Sequence, residues 1–241
     1  MIVDFIPLTL VDYPNHIASV CFFRGCQLRC IYCHNSPLVL PKLLTDTDSE
    51  KEEEFFLYLL KYQNIIEGVC ITGGEPLLDN NLEDFIKRIK SLGFLVKLDT
   101  NGFLPDKLEL LLSKGILDYV ALDFKGLCKD LGYLIGLSDR VCKEYFSAFE
   151  KSLKILQKYS IDFEVRTTVI KEVHTKETLI KMSNHLEKMI YKEKVNWYLQ
   201  NYQESENNLY RFTNKSISIS SCDTELLEET KEILKYNYII R

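Results

Sequence analysis

Several features that would assign the 241-residue chain to other classes of protein are missing. No apolar run approaches the length of about 18 residues that a membrane span needs, so we expect none. The net charge is -5 and no basic stripe is present, which argues against a nucleic-acid partner. Residues 1–10 are apolar but carry Asp4 and no basic segment, so a secretory signal peptide is not expected.

Long linkers, internal repeats and low-complexity tracts are also missing. A single domain over residues 1–241 is therefore the economical prediction, with residues 201–241 as a C-terminal loop and helix. The chain has no G-x-G-x-x-G motif, so a dinucleotide-binding fingerprint is not supported.

What the chain does have is an alternation of apolar, strand-forming segments with amphipathic helical ones. The patterns predict strands at residues 17–23, 68–72, 94–98, 119–122, 161–170 and 195–199, and helices at 52–62, 80–92, 105–113, 143–159 and 176–189. Such alternation with short connections is typical of a parallel sheet with right-handed crossovers.

Six strand–helix alternations are fewer than the eight of a closed barrel. The predicted fold class is therefore α/β, as a partial, open (β/α)6 TIM-like barrel over about residues 14–200 with a short C-terminal extension. In that extension we expect a polar loop at residues 201–221, a helix at 225–235 and a last strand at 236–240.

Eight cysteines are present, and three of them lie within eight residues. Cys26, Cys30 and Cys33 directly follow the strand at residues 17–23, with the spacing C-x3-C-x2-C. Three thiolates can hold an iron–sulfur cluster and leave one iron with an open coordination position. Clustered cysteines in a chain of this length indicate metal binding or catalysis in a reducing cytoplasm rather than a disulfide framework.

Two other interpretations of the three cysteines are buried structural thiols and a zinc site with His34 as the fourth ligand. His34 follows Cys33 directly, and adjacent side chains diverge, so joint binding of one tetrahedral ion is awkward. A second C-x2-C, common in zinc ribbons, is missing. The other histidines (His16, His174 and His185) are expected to be surface or capping residues rather than ligands.

A second motif, Gly73-Gly74-Glu75-Pro76, follows the strand at residues 68–72. Glycines at a strand end allow close approach of a ligand to the backbone, and Glu75 offers an acceptor to a cationic amine. A simple turn is the alternative. Polar residues recur after later strands, at the edge where parallel α/β sheets carry their active sites.

Together these residues resemble the radical S-adenosylmethionine superfamily, through the cysteine motif with Tyr32 before Cys33 and through Gly73-Gly74-Glu75-Pro76. Further segments are similar to the glycyl-radical-enzyme activases, and most of all to the activating proteins of anaerobic ribonucleoside-triphosphate reductase. These segments are Asp12-Tyr13-Pro14-Asn15, Cys33-His34-Asn35, Asp99-Thr100-Asn101-Gly102, Leu122-Asp123-Phe124-Lys125 and Arg166-Thr167-Thr168. The resemblance covers about residues 7–200.

The resemblance implies one [4Fe–4S] cluster on the three cysteines, S-adenosylmethionine as the second cofactor, and a monovalent cation as a further candidate. Reduction of the cluster would cleave S-adenosylmethionine and release a 5'-deoxyadenosyl radical, chemistry that belongs to the cofactors. The radical would take a hydrogen from a backbone glycine of a partner glycyl radical enzyme, with a flavodoxin- or ferredoxin-type electron donor. The alternatives are another glycyl radical enzyme as partner, a small-molecule radical enzyme such as 7-carboxy-7-deazaguanine synthase, and an electron-transfer protein without radical chemistry.

The resemblance also implies a role for individual residues, most of them at predicted strand ends or in the cysteine loop. Gly73, Gly74 and Glu75 would bind the methionine amine of S-adenosylmethionine, and Asp123 and Lys125 would lie near the methionine carboxylate. Asp99 would bind the ribose hydroxyls or a cation, and the adenine would contact Tyr32, Thr168 and Gln200. Asp12 and Arg166 would face the incoming glycyl loop of the partner. From the residues alone, Asp99 also suits an Asx turn, the Asp123–Lys125 pair a solvated ion pair, and Arg166 a solvent-facing strand position. Asn15 replaces the more usual glycine, and Asn tolerates left-handed backbone angles.

Overall fold

The computed structural model describes residues 2–40, 48–191, 195–212, 219–223 and 238–240. Its eight strands form one sheet in sequential order. The strands are β1 Ile2–Thr9, β2 Ala18–Phe23, β3 Gly68–Gly73, β4 Leu95–Thr100, β5 Tyr119–Asp123, β6 Asp162–Val169, β7 Asn196–Asn201 and β8 Tyr238–Ile240. The α-helices are α1 Ser36–Val39, α2 Asp48–Lys61, α3 Leu82–Ser91, α4 Pro105–Ser113, α5 Leu131–Ile135, α6 Asp139–Lys158 and α7 Lys176–Met189, and short 3-10 helices span Pro76–Leu78 and Leu209–Phe212.

The pairing is mostly parallel, as the alternation of strands and helices predicts. β2 pairs with β3, β3 with β4, β6 with β7 and β7 with β8 in parallel, whereas β1 pairs with β2 antiparallel. The sheet runs from β1 at one end to β8 at the other without closing. The predicted α/β class with an open, partial barrel is confirmed.

Local sequence explains why these elements form. In α3 the residues Leu82, Phe85, Ile86 and Ile89 recur at helical spacing and are buried, and Gly93 after its end has a φ of +89°. In α7 the Thr175 side chain caps the helix by accepting a hydrogen bond from the backbone N–H of Thr178. The first four residues of β3 are all buried, as expected for a strand of a parallel sheet covered on both faces.

Near the N-terminus the structure contains a strand that was not predicted, and near the C-terminus only part of the prediction falls on described residues. The first strand is β1, not residues 17–23, and the sequence pattern missed it because Asp4 and Pro7 interrupt the apolar run and most of its residues are at least partly exposed. The predicted loop at 201–221 contains the 3-10 helix Leu209–Phe212, and β8 overlaps the strand predicted at 236–240. The helix predicted at residues 225–235 lies outside the described residues.

The chain divides into two compact units. Unit 1 contains Met1–Gln27, Pro37–Thr100 and Asp106–Ala121, and unit 2 contains Leu28–Ser36, Asn101–Pro105 and Leu122–Arg241. The organisation as one domain stays a prediction. No helix in the described part of the chain has the length and apolarity to cross a bilayer.

Each unit has its own aromatic core. In unit 1, Phe85 lies within 5.3 Å of both Phe23 and Phe56, measured between ring centroids. In unit 2, Phe124 stacks on Phe149 at 4.8 Å. These packed rings support the strand ends that carry the predicted site residues.

Candidate functional site

In unit 1, the end of β3 lies directly against the backbone of the cysteine loop. The N–H of Gly74 donates to the carbonyl of Phe23 (2.8 Å), and the N–H of Glu75 donates to the carbonyl of Gly25 (2.7 Å). A Cβ on Gly74 would lie 1.9 Å from the Gly25 oxygen, and a Cβ on Gly73 2.4 Å from the Phe23 oxygen. Glycine is therefore required here because two backbone segments touch, one residue before the first cysteine of the motif.

Glu75 is buried, with 1% of its surface exposed. Its Oε1 accepts hydrogen bonds from the Thr100 hydroxyl (2.8 Å) and from the N–H of Leu77 (3.2 Å). The second contact caps the 3-10 helix that begins at Pro76. Glu75 thus joins the ends of β3 and β4, and its predicted contact with the methionine amine stays a prediction.

β4 carries a buried ion pair that the sequence analysis did not identify. The Lys97 ammonium lies 2.5 Å from Asp99 Oδ1 and 3.8 Å from the Cys70 sulfur, and only 1% of Lys97 is exposed. Cys70 and Lys97 are direct neighbours across β3 and β4, which explains the second contact. The sequence could have predicted this pair, because Lys97 and Asp99 are two residues apart and therefore share a face of the strand. A lysine in an apolar strand is also rarely buried without a partner of opposite charge.

Asp12 lies at the opposite end of the strands from Gly73, Gly74 and Glu75, the other predicted site residues near the cysteine loop in unit 1. It follows β1 in the turn that leads to Ala18, where β2 begins, and its Oδ2 accepts a hydrogen bond from the Thr9 hydroxyl (2.5 Å). Gly73 lies at the other end of the parallel strands, beside Phe23. The predicted turn does form without glycine, since Asn15 takes a left-handed φ of +65°.

In unit 2, the second half of the cysteine loop is held by α5. The N–H groups of Arg29 and Ile31 donate to the carbonyls of Ile135 (2.9 Å) and Leu134 (3.1 Å) at the end of that helix. Gly136 ends α5 with a φ of +67°, and a Cβ there would lie 2.7 Å from the Arg29 oxygen. The sequence analysis did not predict α5, whose five residues are too few to show a helical period.

The 3-10 helix Leu209–Phe212 holds the same half of the loop from the C-terminal extension. The N–H of Leu209 donates to the Cys33 carbonyl (2.9 Å), and the N–H of Tyr210 donates to the Ile31 carbonyl (3.3 Å). The ring of His34 lies 5.9 Å from that of Tyr202. These residues have no sequence signature, because the donors and acceptors are backbone groups.

All eight cysteines are free thiols. Burial raises the pKa of the Cys30 thiol to about 11, while the nearby Lys125 ammonium acts in the opposite direction. Iron–sulfur clusters are bound by thiolates, so that positive charge favours the ligating form. The donor chemistry of a loop with three thiols therefore fits a [4Fe–4S] cluster.

Within the described residues, no three His, Cys, Asp or Glu side chains are grouped closely enough to hold a metal ion as they stand. The assignment of Cys26, Cys30 and Cys33 as cluster ligands therefore rests on their type and spacing and on the comparisons below.

At the end of β5, Asp123 lies between two cations. Its Oδ2 is 2.9 Å from the Lys125 ammonium, and its Oδ1 accepts from Arg166 Nε and lies 3.2 Å from the second guanidinium nitrogen. The Lys125 and Arg166 side chains are only 12% and 15% exposed, so the interpretations of a solvated pair and of a solvent-facing arginine are wrong. Burial is the largest single influence and lowers the pKa of Lys125, but Asp123, Tyr32, Cys30 and Tyr145 together outweigh it and the pKa is raised.

Tyr32 is buried in unit 2, and the Lys125 ammonium lies 5.9 Å from the centre of its ring. Burial raises the pKa of the Tyr32 hydroxyl well above its usual value. Thr168 and Gln200 are direct neighbours across β6 and β7, and both are half-buried. The structure thus places this last pair side by side, while the adenine contacts of all three residues stay a prediction.

His174 is fully buried, so the expectation of a surface position is wrong for it. Its Nδ1 accepts a hydrogen bond from the N–H of Ile170 (3.0 Å), which places the ring proton on Nε2, where it donates to the Lys125 carbonyl (3.3 Å). Burial lowers the pKa of His174 to about 4. Near physiological pH the ring is therefore neutral, and its hydrogen bond to the Lys125 carbonyl holds the backbone at that residue.

Comparison with known proteins adds independent evidence. Residues 20–186 match the family model of the Radical SAM superfamily. A protein of Methanocaldococcus jannaschii named for the activation of a glycyl-radical enzyme is 33% identical over 179 residues, which cover 72% of this chain and 70% of the relative. The pyruvate formate-lyase-activating enzyme of Clostridium pasteurianum is 30% identical over 238 residues, covering 94% and 92% of the two chains.

Solved structures share the fold at lower sequence identity. Streptococcus suis SuiB bound to S-adenosylmethionine superposes with a TM-score of 0.65 at 17% identity, covering 92% of this chain and 51% of SuiB, so this chain spans about half of that protein. A domain of the pyruvate-formate lyase-activating enzyme from Bacteroides vulgatus gives a TM-score of 0.55 at 16% identity, over 72% of this chain and 98% of the domain. The resemblance to the radical SAM superfamily and to the glycyl-radical-enzyme activases is confirmed, while the stronger likeness to the activating proteins of anaerobic ribonucleoside-triphosphate reductase stays a prediction. The chain belongs to the radical SAM superfamily and, within it, to the glycyl-radical-enzyme activating enzymes, whose cofactors are a [4Fe–4S] cluster and S-adenosylmethionine.

Proposed function

We propose that this protein generates a glycyl radical on anaerobic ribonucleoside-triphosphate reductase, in the cytoplasm and with a flavodoxin- or ferredoxin-type electron donor. Its group of enzymes acts on a protein substrate. When bound, the cluster and S-adenosylmethionine supply a one-electron reductive cleavage that yields a 5'-deoxyadenosyl radical. The remaining tasks, which are binding, orientation and exclusion of water, fall to the residues of this chain.

The observation that supports the S-adenosylmethionine site is the pairing of each aspartate of the activase-like motifs with a lysine, while the choice of the reductase as partner rests on the sequence resemblance. Asp99 and Asp123 each lie at a strand end, and each is paired with a lysine two residues away along the chain. An ionised carboxylate accepts hydrogen bonds from hydroxyl groups, and a lysine ammonium attracts a carboxylate. These are the groups that the ribose and the methionine part of S-adenosylmethionine present, so we assign Asp99 to the ribose and Lys125 to the carboxylate.

The methionine amine is assigned to residues 73–75. A cationic amine needs acceptors, and the N–H groups of Gly74 and Glu75 are already engaged with the cysteine loop. Carbonyl and carboxylate oxygens of this segment are therefore the groups suited to it. The adenine is assigned to Tyr32, Thr168 and Gln200.

For the glycyl loop of the partner, the structure gives the two predicted contacts different support. Arg166 lies at Asp123, next to the lysine assigned to the methionine carboxylate. Asp12 lies at the start of β2, away from Gly73. We therefore keep Arg166 as the candidate for the partner contact and do not propose Asp12.

Partner choice is tested with two purified glycyl radical enzymes under anaerobic conditions. The protein is reconstituted with iron and sulfide, reduced, and mixed with S-adenosylmethionine and either anaerobic ribonucleoside-triphosphate reductase or pyruvate formate-lyase. We expect a glycyl-radical doublet by electron paramagnetic resonance with the reductase. The second partner is included because a 30% identical relative carries its name.

Matched cysteine variants separate the chemistry from the partner. Cys30→Ala should abolish formation of 5'-deoxyadenosine, whereas Cys142→Ala, a buried thiol on α6, should not. Unchanged cleavage in Cys30→Ala would show that the radical mechanism is wrong. Cleavage without a doublet on either partner would instead favour another glycyl radical enzyme or a small-molecule substrate.

A further inference from the structure

We propose that the ammonium of Lys97 is a built-in counter-cation for Asp99, so that this part of the S-adenosylmethionine site works without a bound metal cation. The inference rests on the proposed function, because that function assigns Asp99 to the cofactor. It identifies Lys97 as a positioning residue, which acts through Asp99 and not by touching the cofactor.

The first support is the burial of Lys97. A lysine almost never lies inside a protein unless its charge is compensated, and 99% of Lys97 is removed from solvent. Its ammonium lies 2.5 Å from Asp99 Oδ1, in a charge-assisted hydrogen bond. Asp99 is itself only 9% exposed, so each charge needs the other.

The second support is the way in which the ammonium is held. Lys97 belongs to the parallel ladder between β3 and β4, where it is the direct neighbour of Cys70, and the Cys70 sulfur lies 3.8 Å from the ammonium. The side chain runs along the same strand face as Asp99, two residues further. The positive charge is therefore part of the sheet and cannot exchange with solvent ions.

These contacts fit poorly with the monovalent cation suggested by the family resemblance. A metal cation bound to Asp99 would sit within a few ångströms of a fixed ammonium in a site of low dielectric constant, where like charges repel strongly. One oxygen of the carboxylate is also already taken. The charge that a bound ion would supply is present in the chain.

The test measures binding of S-adenosylmethionine to the reconstituted, anaerobic holoenzyme by calorimetry in KCl, NaCl and choline chloride at equal ionic strength. We expect the wild-type Kd to agree within about twofold in the three salts. Lys97→Met removes the charge and keeps much of the side-chain length. Its Kd should rise about tenfold in choline chloride and recover in KCl or NaCl, because a metal cation can then occupy the vacated position.

Two further variants control for structure and charge. Lys97→Arg keeps a cation beside Asp99 and should stay independent of the salt. Lys114→Met removes a lysine from an exposed ion pair with Glu83 in the same unit and should leave the Kd unchanged in every salt. If circular dichroism shows that Lys97→Met does not fold, the salt dependence of the Kd in the wild type and in Lys97→Arg still tests whether a metal cation is needed.

A wild-type Kd more than about fivefold weaker in choline chloride than in KCl would overturn the inference while leaving the proposed function intact. The same holds if Lys97→Met binds in choline chloride as tightly as the wild type. If the cluster-loaded wild type binds no S-adenosylmethionine in any salt, the proposed function is wrong, and the inference that depends on it is wrong too.

Discussion

Acidification should destabilise the protein through one buried histidine, His174. Its pKa is lowered to about 4 by burial, against 6.5 in an exposed histidine, so protons bind the unfolded chain more readily than the folded one. Above pH 6.5 the ring is neutral in both states and its stabilising contacts are fully present. As the pH falls from 6.5 towards 4, the unfolded state gains a proton that the folded state does not, and stability is lost.

The size of the effect follows from the difference between the two pKa values. Each unit of difference is worth about 1.4 kcal/mol, so the loss is about 3 kcal/mol at pH 4 and reaches its full value of about 3.4 kcal/mol below that pH. At pH 5 the loss is about 2 kcal/mol, a large fraction of the stability of an ordinary domain.

Other groups also titrate in this range, so the measurement must be a difference between two proteins. His174→Asn places an amide oxygen near the position of Nδ1, where it can still accept from Ile170, and it removes the titration. Urea unfolding of both proteins at pH 7 and pH 5 gives the stability advantage of the wild type at each pH. That advantage should shrink by about 2 kcal/mol between the two.

A direct observation of the ring completes the test. The nuclear magnetic resonance signal of His174 should not titrate between pH 7 and pH 5, whereas an exposed histidine should titrate near 6.5. The reasoning is refuted if the advantage of the wild type is the same at both pH values, or if the signal of His174 titrates near 6.5.

The remaining predictions concern the backbone of the cysteine loop. Gly74→Ala should prevent stable cluster assembly, because its Cβ would lie 1.9 Å from the Gly25 oxygen. Gly132→Ala, whose Cβ would meet its nearest neighbours at 3.5 Å, is the control, and equal iron content in both would contradict the argument. Leu209→Pro removes the N–H that donates to Cys33 and should speed iron release to a chelator, while Leu209→Met, which keeps the N–H, should not. Similar release rates in the two variants would mean that this hydrogen bond does not hold the loop.

The sequence predicted the parallel strands and long helices well because each carries its own period. The bounds predicted for the helices at 105–113 and 176–189 agree with the observed ones, and strong local signals, Pro105 and the Thr175 cap, mark their starts. β1 and α5 were missed for opposite reasons. β1 is a partly exposed, antiparallel strand with an interrupted pattern, and α5 is too short to show a period.

For the site, the sequence identified residues whose type is tied to a chemical role, such as the cysteines and the two aspartates. It did not identify the groups that hold them. Leu209 contributes a backbone N–H to a carbonyl far away in the sequence, and no side chain records that contact. Lys97 was open to prediction, because an apolar strand with lysine and aspartate two residues apart suggests a pair on one face.

The two aspartate–lysine pairs also show how residue order along a strand decides what the lysine can do. Lys97 precedes Asp99 and therefore lies inside β4, where its side chain is 1% exposed and its ammonium contacts Asp99 and the sulfur of Cys70. Lys125 follows Asp123, which is the last residue of β5, so its side chain leaves the strand end and lies near Tyr32. A ligand at the strand ends can therefore meet the ammonium of Lys125 directly, whereas the buried charge of Lys97 acts on a ligand through the carboxylate of Asp99.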